Sequence, residues 1–74
     1  EYSWQYFIGF DTEDTTHGHL GELIDVDEST VNTLFVVERS NGDEILIPAQ
    51  ETFIEDIDHE KRLIKFNLPD GLLD

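Results

Sequence analysis

Strand-like runs broken by turn chemistry at spacings of roughly 8–12 residues constrain this chain more than any other feature. No stretch sustains a 3.6-residue apolar period beyond about two turns, which argues against a helical bundle. "QYFIGF" (5–10) is aromatic and apolar and predicts a first strand, which then breaks into the polar "DTEDTTHGH". "LGELIDVDE" (20–28) predicts a second, with Ile24 and Val26 on one face and Glu22 and Glu28 extending the same row. "NTLFVVERS" (32–40) is β-branched and aromatic on both faces, the pattern of a strand covered on both sides near its middle. Asn41-Gly42 is a hairpin signal, and a strand from about 43 to 47 follows, ended or marked as an edge by Pro48. "QETFIEDI" predicts a brief helical turn around Gln50 to Phe53 and then a short strand ending near Ile57. "DHEK" is the next turn, and "RLIKFNL" alternates, with Ile64, Phe66 and Leu68 facing one way. Six short strands predict an all-β fold, a small six-stranded barrel whose closure would leave no edge open to other chains.

The 74 residues suffice for one domain, and a domain this small buries only roughly 60–65% of the surface its unfolded chain exposes. Without cysteine, neither a disulfide nor a thiolate zinc site can brace it, so stability rests on Phe, Leu, Ile, Val and one Trp. The C-terminal "KFNLPDGLLD" bears on that economy. Pro-Asp-Gly turns the chain after the last strand, letting Leu72 and Leu73 fold back across an open end of the barrel. Burial of two leucines is worth roughly 3–6 kcal/mol, comparable to the whole stability of such a domain. The alternative leaves both leucines exposed to a partner.

Eighteen Asp and Glu against four Lys and Arg give a formal net charge of −14. Nucleic-acid binding draws its affinity from cations that neutralise phosphates, and only Arg39, Lys61, Arg62 and Lys65 are available. The expected partner is a basic protein surface, not RNA or DNA. No apolar run approaches the roughly 18 residues of a membrane span, and no signal-peptide pattern is present, so the expected compartment is cytoplasmic. The chain lacks methionine and opens on Glu1, which reads as a piece of a longer protein.

Little in the sequence points to catalysis or cofactors. His17-Gly18-His19 would place two imidazoles on one face of a strand, but spacing marks no third ligand. "DVDEST" (25–30) starts like a calcium loop and then departs from it: Thr30 stands where the sharp turn needs Gly, and Val36 where Glu is needed. Ser3, Ser29 and Ser40 lack a glycine elbow, and adjacent carboxylates are expected by chance at this acid content. The aromatic opening "YSWQYF" is more informative. Strict alternation would put Tyr2, Trp4 and Tyr6 on one face, and Tyr and Trp are enriched at interface hot spots. Tyr2 and Trp4 then either contact a partner or cap the barrel's other end.

Taken in order, "YSW", "IG", "GHLGELIDV", "EILIPA", "ID" with a basic turn, and "LPDGLLD" resemble the C-terminal PRC-barrel domain of the ribosome maturation factor RimM family, over essentially the full chain. The resemblance implies a PRC-type six-stranded barrel with a short C-terminal helical turn, one domain over residues 1–74. It further implies the C-terminal part of a two-domain cytoplasmic factor in small-subunit assembly and ribosomal RNA processing, neither an enzyme nor dependent on a cofactor. Its implied partner is a basic protein of the small-subunit head, the nineteenth, with the assembling subunit itself. The resemblance places partner binding at two adjacent tyrosines before a tryptophan, here Tyr2, Ser3 and Trp4, with Ser3 in place of the second tyrosine. The other expectation is structural: a domain that packs against an RNA-binding neighbour in its own chain, or against another copy.

Overall fold

The computed structural model describes residues 3–29, 31–69, 71 and 72. A 3₁₀ turn, Trp4–Phe7, leads into β1 (Asp11–Asp14), β2 (Gly18–Asp27), β3 (Leu34–Glu38) and β4 (Glu44–Pro48). A second 3₁₀ turn, Glu51–Phe53, precedes β5 (Ile54–Asp58) and β6 (Leu63–Phe66). One six-stranded sheet results, in the order β4-β3-β2-β1-β6-β5, antiparallel throughout except for the parallel pair β1–β6. Among the described residues no helix is long and apolar enough to cross a membrane.

The count of six strands agrees with expectation, but the first lies elsewhere. "QYFIGF" is not a strand: Trp4–Phe7 winds as a 3₁₀ turn, and the three-residue spacing brings Trp4 and Phe7 together with ring centroids 6.2 Å apart. Tyr6 consequently does not share Trp4's face by alternation. The true first strand is the polar "DTED", whose inward side chains are Thr12 and Asp14. Both are satisfied internally. The Thr12 hydroxyl donates to the Gly21 carbonyl at 2.9 Å. Asp14 Oδ1 accepts the backbone N–H of Leu68 at 2.9 Å; Oδ2 accepts those of Thr16 and His17 at 3.0 Å and lies 2.9 Å from His17 Nδ1.

The face assignment in β2 also changes. Leu20 is an extra residue between partners of Thr12 and Glu13, and Ile24 is an extra residue between partners of Val37 and Val36. Each bulge advances the inward row by one, so the buried positions are Leu20, Leu23 and Val26. Ile24 is only half-buried. These bulges bend the long strand so that one sheet can wrap its own core. That core contains Phe7, Phe10, Leu20, Leu23, Val26, Phe35, Val37, Ile47, Ile64, Phe66 and Leu68. Trp4 closes one end, edge-on to Phe35 at 5.4 Å. Leu72 packs against the core as well, so the tail folds back at that residue; Leu73 lies outside the described residues. Among the described residues the C-terminal turn is marked by the bond from the Leu72 N–H to the Pro69 carbonyl at 3.3 Å.

The sheet does not close. Among the described residues β4 and β5 do not pair; the 3₁₀ turn Glu51–Phe53 links them in sequence, and Ala49, Phe53 and Ile54 pack against the core. The edges are blunted by other means, with Pro48 on β4 and an acidic bulge at Glu55 on β5.

Gly21 is required by a close approach: a Cβ there would overlap the Glu38 carbonyl oxygen and lie 2.8 Å from its carbon. Because the obstacle is backbone, Gly21→Ala should cost at least about 2 kcal/mol in urea unfolding. Burial pushes the Asp14 carboxyl upward, but the bonds from Leu68, His17 and Thr16 outweigh it and hold the group at about 2, against 3.8 ordinarily. A carboxyl lowered on folding stabilises the native state above its unfolded value, and that contribution is lost as pH falls through the folded one. About 2 kcal/mol should therefore disappear between pH ~5 and ~1. Asp14→Asn should lose about 2–4 kcal/mol at neutral pH and flatten this acid limb.

Candidate protein-binding surface

Register decides which charges face one another. Asp11 pairs with Glu22, Glu22 with Glu38, and Glu38 with Glu44. Directly opposed residues share a face, so four exposed carboxylates line up side by side across β1, β2, β3 and β4. On the other side of Asp11 the rung continues through Leu63 to Asp58. Five of six strands thus contribute an acid to one row.

On the other half of the sheet the register interleaves opposite charges. Lys65 lies between Glu13 and Asp56, and His19 faces Glu13 from β2. The acidic rung has no such neighbour in register across β1 to β4, and among the described residues the one ion pair within 4 Å is His17 with Asp14. Arg62 is engaged elsewhere, its guanidinium 4.9 Å from the centroid of the Phe10 ring. Like charges directly opposite one another destabilise a sheet. A little beyond the rung, the Ser29 hydroxyl and then its backbone N–H donate to Asp27, holding that carboxyl below its ordinary range.

The sequence-predicted contact residues are placed differently. Tyr2 lies outside the described residues. Ser3 is exposed, and its carbonyl accepts the Tyr6 N–H at 3.1 Å. Trp4 is half-buried against Phe35 and Phe7. Tyr6 is 43% exposed, its hydroxyl 3.2 Å from His59 Nδ1, and Gln5 donates to Glu28 at 2.8 Å. The acidic rung itself was not among the expected sites.

A family model for the RimM PRC barrel domain matches residues 4–72. The chain belongs to the RimM PRC-barrel family. Among proteins named ribosome maturation factor RimM, that of Bacteroides thetaiotaomicron is 59% identical over 73 residues, covering 99% of this chain and 41% of the relative. That of Bacteroides fragilis is also 59% identical over 73 residues, covering 99% and 40%. The chain thus spans about two fifths of the length of the curated relatives it matches. A crystal structure described as a 16S ribosomal RNA processing protein RimM from Pseudomonas aeruginosa superposes with a TM-score of 0.78, covering 92% of this chain and 44% of that one. At 22% identity this likeness bears on the fold alone. The PRC-barrel architecture is thereby supported by sequence and by shape.

In this RimM PRC barrel Glu38 has carboxylates on both sides, Glu22 and Glu44. Glu38→Gln should raise Tm by about 2–4 °C at low salt, in a differential scanning measurement. The gain should shrink towards zero at about 0.5 M salt, where exposed charges are screened within a few ångströms.

Proposed function

We propose that this chain is the protein-docking module of a ribosome maturation factor, which holds a basic protein of the small-subunit head, the nineteenth, while the subunit assembles. The observation that carries this reading is the row Asp11, Glu22, Glu38 and Glu44, with no cation within 4 Å among the described residues. Such a row costs stability when the domain is alone and is relieved when a cationic surface lies over it. The net charge of −14 extends the attraction beyond contact range and repels polyphosphate, so RNA is approached through the captured protein. The names of the relatives support the same setting, since they are ribosome maturation factors. The opening segment, Tyr2, Ser3 and Trp4, joins this interface as a second contact on the strength of the family resemblance. The role is binding, with no covalent step.

The test is a titration of the chain with the purified nineteenth small-subunit protein by calorimetry at several salt concentrations. Affinity should fall at least about tenfold between about 50 and 500 mM salt, because exposed charges are screened within about 8 Å at physiological ionic strength. The double variant Glu22→Gln, Glu38→Gln should bind more weakly and show a shallower salt dependence. Affinity that is indifferent to salt would overturn the reading, as would tight binding to naked ribosomal RNA.

A further inference from the structure

The outward faces of β3 and β4 do not match the acidic surface around them. Sequence alternation predicts β3 covered on both sides, but only its inward residues, Phe35 and Val37, are fully buried. Its outward residues Leu34 and Val36 are half-buried, with no second layer over them among the described residues. Register carries the pattern on to neighbouring strands. Val36 faces Leu46 on β4 and Asp25 on β2; Leu34 faces Pro48 on β4 and Asp27 on β2. Leu46 is 54% exposed. Three rows therefore lie side by side: Glu22–Glu38–Glu44, Asp25–Val36–Leu46 and Asp27–Leu34–Pro48.

These rows form a square of four apolar side chains, bordered by carboxylates along the β2 side and along the hairpin end. Strand spacing and the two-residue repeat make the square roughly 5 by 7 Å between side-chain origins, room for one or two inserted side chains. Leucine at Leu46 does nothing for the core, because β4 reaches inward through Ile45 and Ile47.

We propose that this outer face of β3 and β4 is the anchor point of the docking surface, occupied by a segment of basic protein that sets an aliphatic or aromatic side chain on Val36 and Leu46 while its lysines or arginines meet the acidic border. The proposal rests on the docking function above and names the place where it happens. Charge selects the occupant. A second copy of this chain would bring the same acidic border against this one, carboxylate on carboxylate, with −14 on each molecule. A neutral apolar peptide would leave the border desolvated and unpaired. A cationic segment with an apolar residue satisfies both halves.

The two halves separate experimentally because apolar burial is insensitive to salt in the range that screens exposed charge. Leu46→Ser should weaken binding of the nineteenth small-subunit protein about tenfold, the scale of one apolar side chain left unburied, while keeping the wild-type salt slope. Glu38→Gln should weaken binding and flatten that slope. Val36→Thr, which keeps β-branching, serves as a second variant should Leu46→Ser fold poorly. In the amide spectrum of the labelled chain, shifts on binding should centre on Leu34–Glu38 and Glu44–Pro48. If the protein binds and both Leu46→Ser and Val36→Thr retain full affinity, this face is refuted while the docking function stands. If no basic protein binds, both fall. Shifts at Val36 and Leu46 on extending the chain to the length of its relatives, with no added protein, would give the face to an intramolecular contact and overturn the proposal.

Discussion

Asp14 carries its carboxylate into a part of the sheet closed to solvent, and the donors around it come from both ends of the chain's path. One oxygen holds the turn that leads from β1 into β2, through Thr16 and His17. The other holds the backbone N–H of Leu68, 54 residues away, where the chain leaves β6. A charge so placed would be costly without those bonds; with them it becomes a clasp. The position of the tail follows from it, because Leu68 must stay in place for Leu72 to reach the core. The parallel pairing of β1 with β6 sits directly beside the same group, with Asp14 opposite Phe66.

The sheet distributes charge unequally around this clasp. Near β6, register sets Lys65 between the carboxylates of Glu13 and Asp56. Among the described residues the register sets no cation beside Glu22, Glu38 or Glu44, and these acids border the exposed Leu46 and the half-buried Val36. A domain selected for stability alone would place a lysine at Glu38 or a threonine at Leu46. Instead both liabilities fall on the same half of the sheet, a pattern expected where stability has been traded for recognition.

Much of the architecture was legible from turn chemistry. Asn41-Gly42 marked the β3–β4 hairpin, Pro48 an edge, Gln50–Phe53 a single helical turn, and the alternation of Ile64, Phe66 and Leu68 the inward face of β6. What escaped was structure carried by polar residues. β1 is "DTED", whose buried positions are a threonine and an aspartate, so hydrophobic patterning passed over it and assigned the strand to the aromatic residues before it. The bulges at Leu20 and Ile24 were equally invisible, because they lie in a run that reads as a plain strand until its partners are known. The acidic rung was partly within reach. Glu38 and Glu44 stand symmetrically about Asn41, so the hairpin alone pairs them. Extending the row to Glu22 and Asp11 needed the bulges. The family resemblance supplied the setting that periodicity lacked.

The parallel pair β1–β6 joins the beginning of the sheet to its end. During synthesis, β2, β3 and β4 can form their hairpins from neighbours in sequence, while β1 has no partner on its other side until the last strand has left the ribosome. A nascent chain can thus pair β2, β3 and β4 early, while the β1–β6 join comes late. The bond from Leu68 to Asp14 spans a similar sequence separation, so it too waits on β6.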